Sequence, residues 1–158
     1  MKVKLLVTGK TDESYIRNGL DEYEGRVRRY LSFETVEIPG LKKSVHLSKY
    51  EWKAKEAAKI LPLLNSSDIV VLLDEKGKEM TSVEFSVFLN QKFSSGSKNL
   101  VFVVGGPYGF DDAVNKRADF KLSLSRMTFS HQMVRLFFLE QLYRALTILR
   151  NESYHHDE

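Results

Sequence analysis

Two runs of five consecutive apolar residues, Ile69-Val70-Val71-Leu72-Leu73 and Leu100-Val101-Phe102-Val103-Val104, constrain this chain more than any other feature. A strand with one face in water alternates apolar and polar side chains. An unbroken run fits a strand covered on both faces, as in a parallel sheet packed between helices. The surrounding pattern extends this reading. Strands are expected over Val3–Val7, Thr35–Ile38, Asp68–Leu73, Leu100–Val104 and Phe120–Leu124. Helical periods fill the intervals: Asp12–Tyr30, Ser48–Leu64, Thr81–Phe93, Asp111–Lys116 and Met133–Arg150. Ser48 followed three residues later by Glu51 is a capping-box start. Leu41–Leu47 reads as a polar, basic loop. Strands separated by helices imply parallel βαβ units. With no repeat or linker, residues 1–158 form a single α/β domain, a parallel sheet flanked by helices.

Composition removes several function classes. No stretch approaches the roughly 20 apolar residues of a membrane span. The N-terminus runs straight into a strand without the apolar core of a signal peptide, so a cytoplasmic protein is expected. The absence of cysteine eliminates disulfides, thiolate zinc sites and thiol nucleophiles. Four histidines show no helical metal-binding spacing, and no metal is expected. The net charge of +3 permits a nucleic-acid partner without demanding one.

The second apolar run stops in Gly105-Gly106-Pro107-Tyr108-Gly109-Phe110. A phosphate loop needs lysine and a hydroxyl after its last glycine, where Phe110-Asp111-Asp112 stands, and the dinucleotide fingerprint GxGxxG is absent. Ligands in open α/β sheets sit beyond the carboxyl ends of strands. Two further segments end strands on that edge, Leu73-Asp74-Glu75-Lys76-Gly77 and Leu122 to His131. Three loops would line one crevice. The last helix adds a second signal, because Val134, Phe138, Leu139, Leu142, Ala145, Leu146 and Leu149 form one apolar face. Met133, Leu136, Phe137 and Tyr143 lie on the other side. Burial against a second copy is the simplest solution. His131 and Arg135 fall at the N-terminal end of the broad face, aimed at a ligand or across an interface.

Five segments in order, Gly105–Gly109, Ser123-Leu124-Ser125-Arg126-Met127-Thr128-Phe129, His131-Gln132, Glu140-Gln141-Leu142-Tyr143-Arg144-Ala145 and Tyr154-His155, resemble the RlmH family of SPOUT-class methyltransferases. The resemblance spans essentially the whole chain. It implies a homodimer with a C-terminal trefoil knot, one of the rare exceptions to unknotted folds. It implies S-adenosylmethionine as methyl donor, with Leu73, Gly105 and Leu124, Ser125, Arg126, Met127, Thr128 and Phe129 as the cofactor positions. The implied substrate is a pseudouridine of 23S rRNA, methylated at N3 on the assembled ribosome. A sulfonium donor carries no phosphate, which suits the missing phosphate loop. N3 must lose a proton, so a base or a positive group is needed. The candidates are His155 with Tyr154 positioning the base, and Arg135 or His131 reaching the site. For RNA contact the basic residues are Arg17, Arg26, Arg28, Arg29, Lys42 and Lys43, with Arg26–Arg29 the densest group. Two positions depart from the family pattern: Ser130 stands where proline is common, and His156 where lysine or arginine often follows Tyr-His.

Two rivals stay open on sequence alone. One is another α/β nucleotide-cofactor protein, the other a ribosome-binding factor without activity.

Overall fold

The computed structural model describes residues 1–42 and 46–156. Five strands form one parallel sheet: β1 (Lys2–Thr8), β2 (Ser32–Ile38), β3 (Ile69–Glu79), β4 (Asn99–Val104) and β5 (Phe120–Ser123), in the order β2-β1-β4-β3-β5. Five helices connect and cover them: α1 (Ser14–Arg28), α2 (Lys49–Ile60), α3 (Ser82–Phe93), α4 (Asp112–Arg117) and α5 (Met133–Leu149), with a 3₁₀ turn at Leu61–Leu63. Every strand pairing is parallel.

The unbroken apolar runs are explained by two separate cores. Val71, Leu73, Leu100, Phe102 and Val104 point to one face, where they pack with Phe138, Leu139 and Leu142 of α5 and with residues of α1 and α3. Val70, Leu72, Val101 and Val103 point to the other, against Ala57 and Ile60 of α2 and Val114 of α4. Side chains that alternate in direction are all apolar because both directions are interior. Burying one such aliphatic side chain stabilises the fold by about 1.5–3 kcal/mol. The capping box expected at Ser48 and Glu51 is present, with Glu51 N donating to Ser48 Oγ at 3.1 Å.

Two elements depart from expectation. β2 begins at Ser32, three residues before the expected Thr35. β3 continues past Leu73 through the polar stretch to Glu79, where a loop was expected. Its pairing with β5 jumps register there, from Leu73↔Leu122 to Lys78↔Leu122. Gly77 sits in this irregular stretch, where a Cβ would lie 2.7 Å from the Lys121 carbonyl carbon. The absent side chain lets the strands close.

The far side of α5 is covered more fully than the sequence suggests. Met133, Leu136 and Tyr143 are half-buried and pack onto the core cluster of the same chain. Phe137 stays 41% exposed, its ring 4.8 Å from that of Phe129.

Candidate active site

Beyond the carboxyl ends of β3 and β4 lies a cleft of about 800 Å³, within the range of small-molecule sites. Leu73, Gly105, Leu124, Ser125, Met127, Thr128 and Phe129 all line it, as does His131 at the approach to α5. Of the expected cofactor positions, Arg126 alone is not among the lining residues. Its side chain is 85% exposed and its Nε lies 3.3 Å from Glu79. The irregular end of β3 still contributes to the cleft through Asp74, Glu75 and Lys76.

Local hydrogen bonds set the shape of the 124–131 segment. Ser123 Oγ donates to the Ser125 carbonyl at 2.8 Å, and Met127 N donates to Ser125 Oγ at 3.0 Å. Thr128 Oγ1 donates to Glu75 at 2.6 Å, fastening the segment to the irregular strand. Ser130 accepts from Met133 N at 3.1 Å. Its hydroxyl therefore satisfies a donor at the start of α5 that a proline would leave to other groups.

The three glycines of the opposite wall are there for three different reasons. Gly109 has φ +82°, a left-handed value that favours glycine, and its N–H closes a turn onto the Gly106 carbonyl at 3.2 Å. A Cβ on Gly105 would meet the Phe110 ring at 3.0 Å, on the domain side of the loop. A Cβ on Gly106 would overlap both carboxylate oxygens of Glu56. That Glu56 is 5% exposed, and its Oε1 has no hydrogen-bond partner among the described residues. Burial pushes its carboxyl up, with Trp52 and Lys59 pulling the other way. Glu56 is a residue that sequence reasoning missed, since an acidic side chain on a helix ordinarily reads as solvated.

The remaining candidates fall into separate places. Arg135 is fully buried and does not reach the cleft or an outer surface, as its sequence position had suggested. Its guanidinium donates to the carbonyls of Thr8 at 2.9 Å, Gly9 at 3.1 Å and His131 at 3.0 Å, and to Thr11 Oγ1 at 2.9 Å. Burial pulls this guanidinium down, while Glu37 and Asp12 favour its charge. Arg135 thus clamps the β1–α1 turn to the segment carrying His131. Gln132 adds two bonds to the same turn, at 3.0 Å each.

Tyr154 and His155 are not among the residues lining the cleft. Tyr154 Oη donates to Glu140 at 3.0 Å and lies 3.2 Å from Tyr23 Oη, while His155 Nδ1 lies 3.2 Å from Arg144. Burial, Tyr23 and Glu140 push the Tyr154 phenol well above its ordinary range. At neutral pH it is a hydrogen-bond donor.

Among the basic residues, Arg17 bonds the Thr11 carbonyl at 2.8 Å, Arg26 pairs with Glu22 at 2.6 Å and Arg28 with Glu24 at 3.3 Å. Arg29 and Lys42 are exposed, and Lys43 lies outside the described residues. Lys49 and Lys53 of α2 line the cleft instead. Their four-residue spacing places them on one helix face, a signal available in the sequence. The described residues contain no metal-binding cluster of His, Cys, Asp or Glu, and no helix long and apolar enough to cross a membrane.

The profile of the family described as "Predicted SPOUT methyltransferase" matches residues 1–155. Ribosomal RNA large subunit methyltransferase H of Parabacteroides distasonis is 54% identical over 99% of this chain and 100% of its own length. The protein of the same description from Christiangramia forsetii is 53% identical over 99% of both chains. A solved methyltransferase from Legionella pneumophila with bound cofactor aligns over 90% of this chain and 65% of its own, at 11% identity and a TM-score of 0.46. Family profile and relatives agree from end to end: the chain belongs to the RlmH family of SPOUT methyltransferases.

Proposed function

We propose that the protein methylates N3 of a pseudouridine in 23S rRNA, using S-adenosylmethionine, on the assembled ribosome in the cytoplasm. The observation that carries this reading is the convergence of Leu73, Gly105 and the 124–129 segment on one cleft free of any phosphate loop. S-adenosylmethionine supplies an electrophilic methyl group on a sulfonium centre. The residues present fit such a donor: a cleft of mixed polarity, approachable loop backbone and the carboxylates of Asp74 and Glu75.

The protein's contribution is orientation and handling of the N3 proton. His131 stands at the cleft. His155 is the candidate base and Tyr154 the donor that positions it or the target ring. Arg135 contributes by holding the His131 segment rather than by touching substrate.

We infer a homodimer, and the placement of the tail supports it. His155 rests on Arg144, ten residues along α5 from the cleft-lining Val134, a separation of about 15 Å at the helical rise. A tail docked there lies away from the cleft of its own chain, which supports a reading in which a second copy brings it. The exposed Phe137, with Phe129 and Met127, offers an apolar surface for that copy. We also infer the trefoil knot of the family, with the 124–131 segment as part of it.

The test is mass spectrometry of 23S rRNA from a strain lacking the protein, before and after incubation of its ribosomes with protein and donor. A gain of one methyl on a pseudouridine is expected. No gain would sink the proposal.

A further inference from the structure

The rim of the cleft formed by α2 and the glycine loop carries a group of side chains that cofactor binding does not account for. The turn closed between Gly106 and Gly109 puts Pro107 and Tyr108 at its tip, and Tyr108 is 43% exposed. The Trp52 ring packs against it in a T-shaped contact, centroids 6.0 Å apart and planes at 86°. Lys49 Nζ lies over the same ring, 5.7 Å from its centroid. Lys53 follows one turn along α2, and Tyr50, beside Lys49, is 75% exposed.

Charge separates this surface from the arginine-rich end of α1. There Arg26 and Arg28 already have Glu22 and Glu24 as partners. Lys49 and Lys53 form no ion pair among the described residues. Ammonium groups without an ion pair beside exposed aromatic side chains match a partner that carries both phosphates and flat faces. Single-stranded nucleic acid has this chemistry, because bases stack on aromatics while lysines follow the backbone. Elsewhere the cleft lining mixes Asp74 and Glu75 with Lys76 and Lys121, so its charges of both signs stand together there.

We propose that Tyr108, supported by Trp52 and flanked by Lys49 and Lys53, is the platform for the unpaired RNA next to the target nucleotide. A neighbouring base stacks on Tyr108, and the two lysines contact its phosphates. This assignment rests on the reading of the protein as an rRNA methyltransferase.

The test uses ribosomes from a strain lacking the protein, with binding followed by co-sedimentation in the absence of donor and methyl incorporation followed separately. Tyr108→Ala should weaken ribosome binding about ten-fold, within the range for loss of one stacked base. Tyr108→Phe, which keeps the ring, should stay within about two-fold of wild type. Lys49→Gln with Lys53→Gln should reduce the slope of log affinity against log salt by about 1–2. Unchanged ribosome binding in Tyr108→Ala, or an unchanged salt slope in the lysine variant, overturns the platform. Weaker binding with an unchanged salt slope assigns this surface to a ribosomal protein and also overturns it. Wild-type protein that binds ribosomes but transfers no methyl would defeat the proposed function alone, since the binding comparison stands without catalysis.

Discussion

The two ends of α5 carry most of the chemistry-bearing residues of the chain, and they are built in opposite ways. At the N-terminal end one buried arginine ties the β1–α1 turn to His131, and the neighbouring cleft is left open. At the C-terminal end Glu140, Arg144, Tyr154, His155 and Tyr23 satisfy one another. The first end has a place for ligands and keeps its charge away from them. The second carries Tyr154 and His155, neither of which lines the cleft. A single chain therefore separates the receptor from the candidate base. The proposed function joins them across two copies.

The largest effect should come from the clamp. Arg135→Met fills the space but leaves the Thr8 and Gly9 carbonyls without donors, each costing about 1–3 kcal/mol. Urea unfolding should show a loss on the order of 3 kcal/mol. A variant that folds normally and loses only methylation would move Arg135 into the chemistry and break the contrast between the two ends.

The cleft wall comes next. Gly106→Ala drives a Cβ into the Glu56 carboxyl and should weaken S-adenosylmethionine binding at least about ten-fold, roughly 1.4 kcal/mol. Adding Glu56→Ala removes the obstacle and should recover part of that affinity in calorimetry. If the double variant is no better than Gly106→Ala alone, the two residues do not share the space as described.

A smaller effect concerns pH. Burial raises the Glu56 carboxyl above its ordinary 4.5, so the folded protein holds that proton more tightly than the unfolded chain. The associated stability is fully present below the ordinary value and is lost as pH rises through the folded one. Melting temperatures measured upward from pH 4 should fall more for wild type than for Glu56→Gln. Parallel curves would mean that the carboxyl is not desolvated.

Much of this architecture is legible in the residues themselves. Unbroken apolar runs fit strands covered on both faces, and they stand where the pattern puts them. The extension of β3 was not legible, because Asp74 to Glu79 is polar and carries Gly77, which reads as a turn. Its pairing depends on a register jump against β5, a tertiary event with no local signal. The cofactor positions came from a motif resemblance, since hydroxyl-rich loops have no chemistry of their own to announce a methyl donor. Glu56 was hidden because its burial is decided fifty positions away, at Gly106. In the sequence, charge is denser at Arg26–Arg29 than at Lys49 and Lys53. Yet Glu22 and Glu24 stand four residues before Arg26 and Arg28, and that spacing already marks the arginines as paired.

The central claim, methyl transfer at a cleft completed by another copy, is tested most directly by mixing subunits. Gly106→Ala damages the cleft and His155→Ala the tail, so each homodimer should incorporate little or no methyl into ribosomes. Co-expressed and purified together through two different tags, the mixed dimer pairs an intact cleft on one chain with an intact tail on the other. Recovery to about half of wild-type incorporation is predicted, since one of two sites is whole. Incorporation no higher than in the two parent variants would contradict the account.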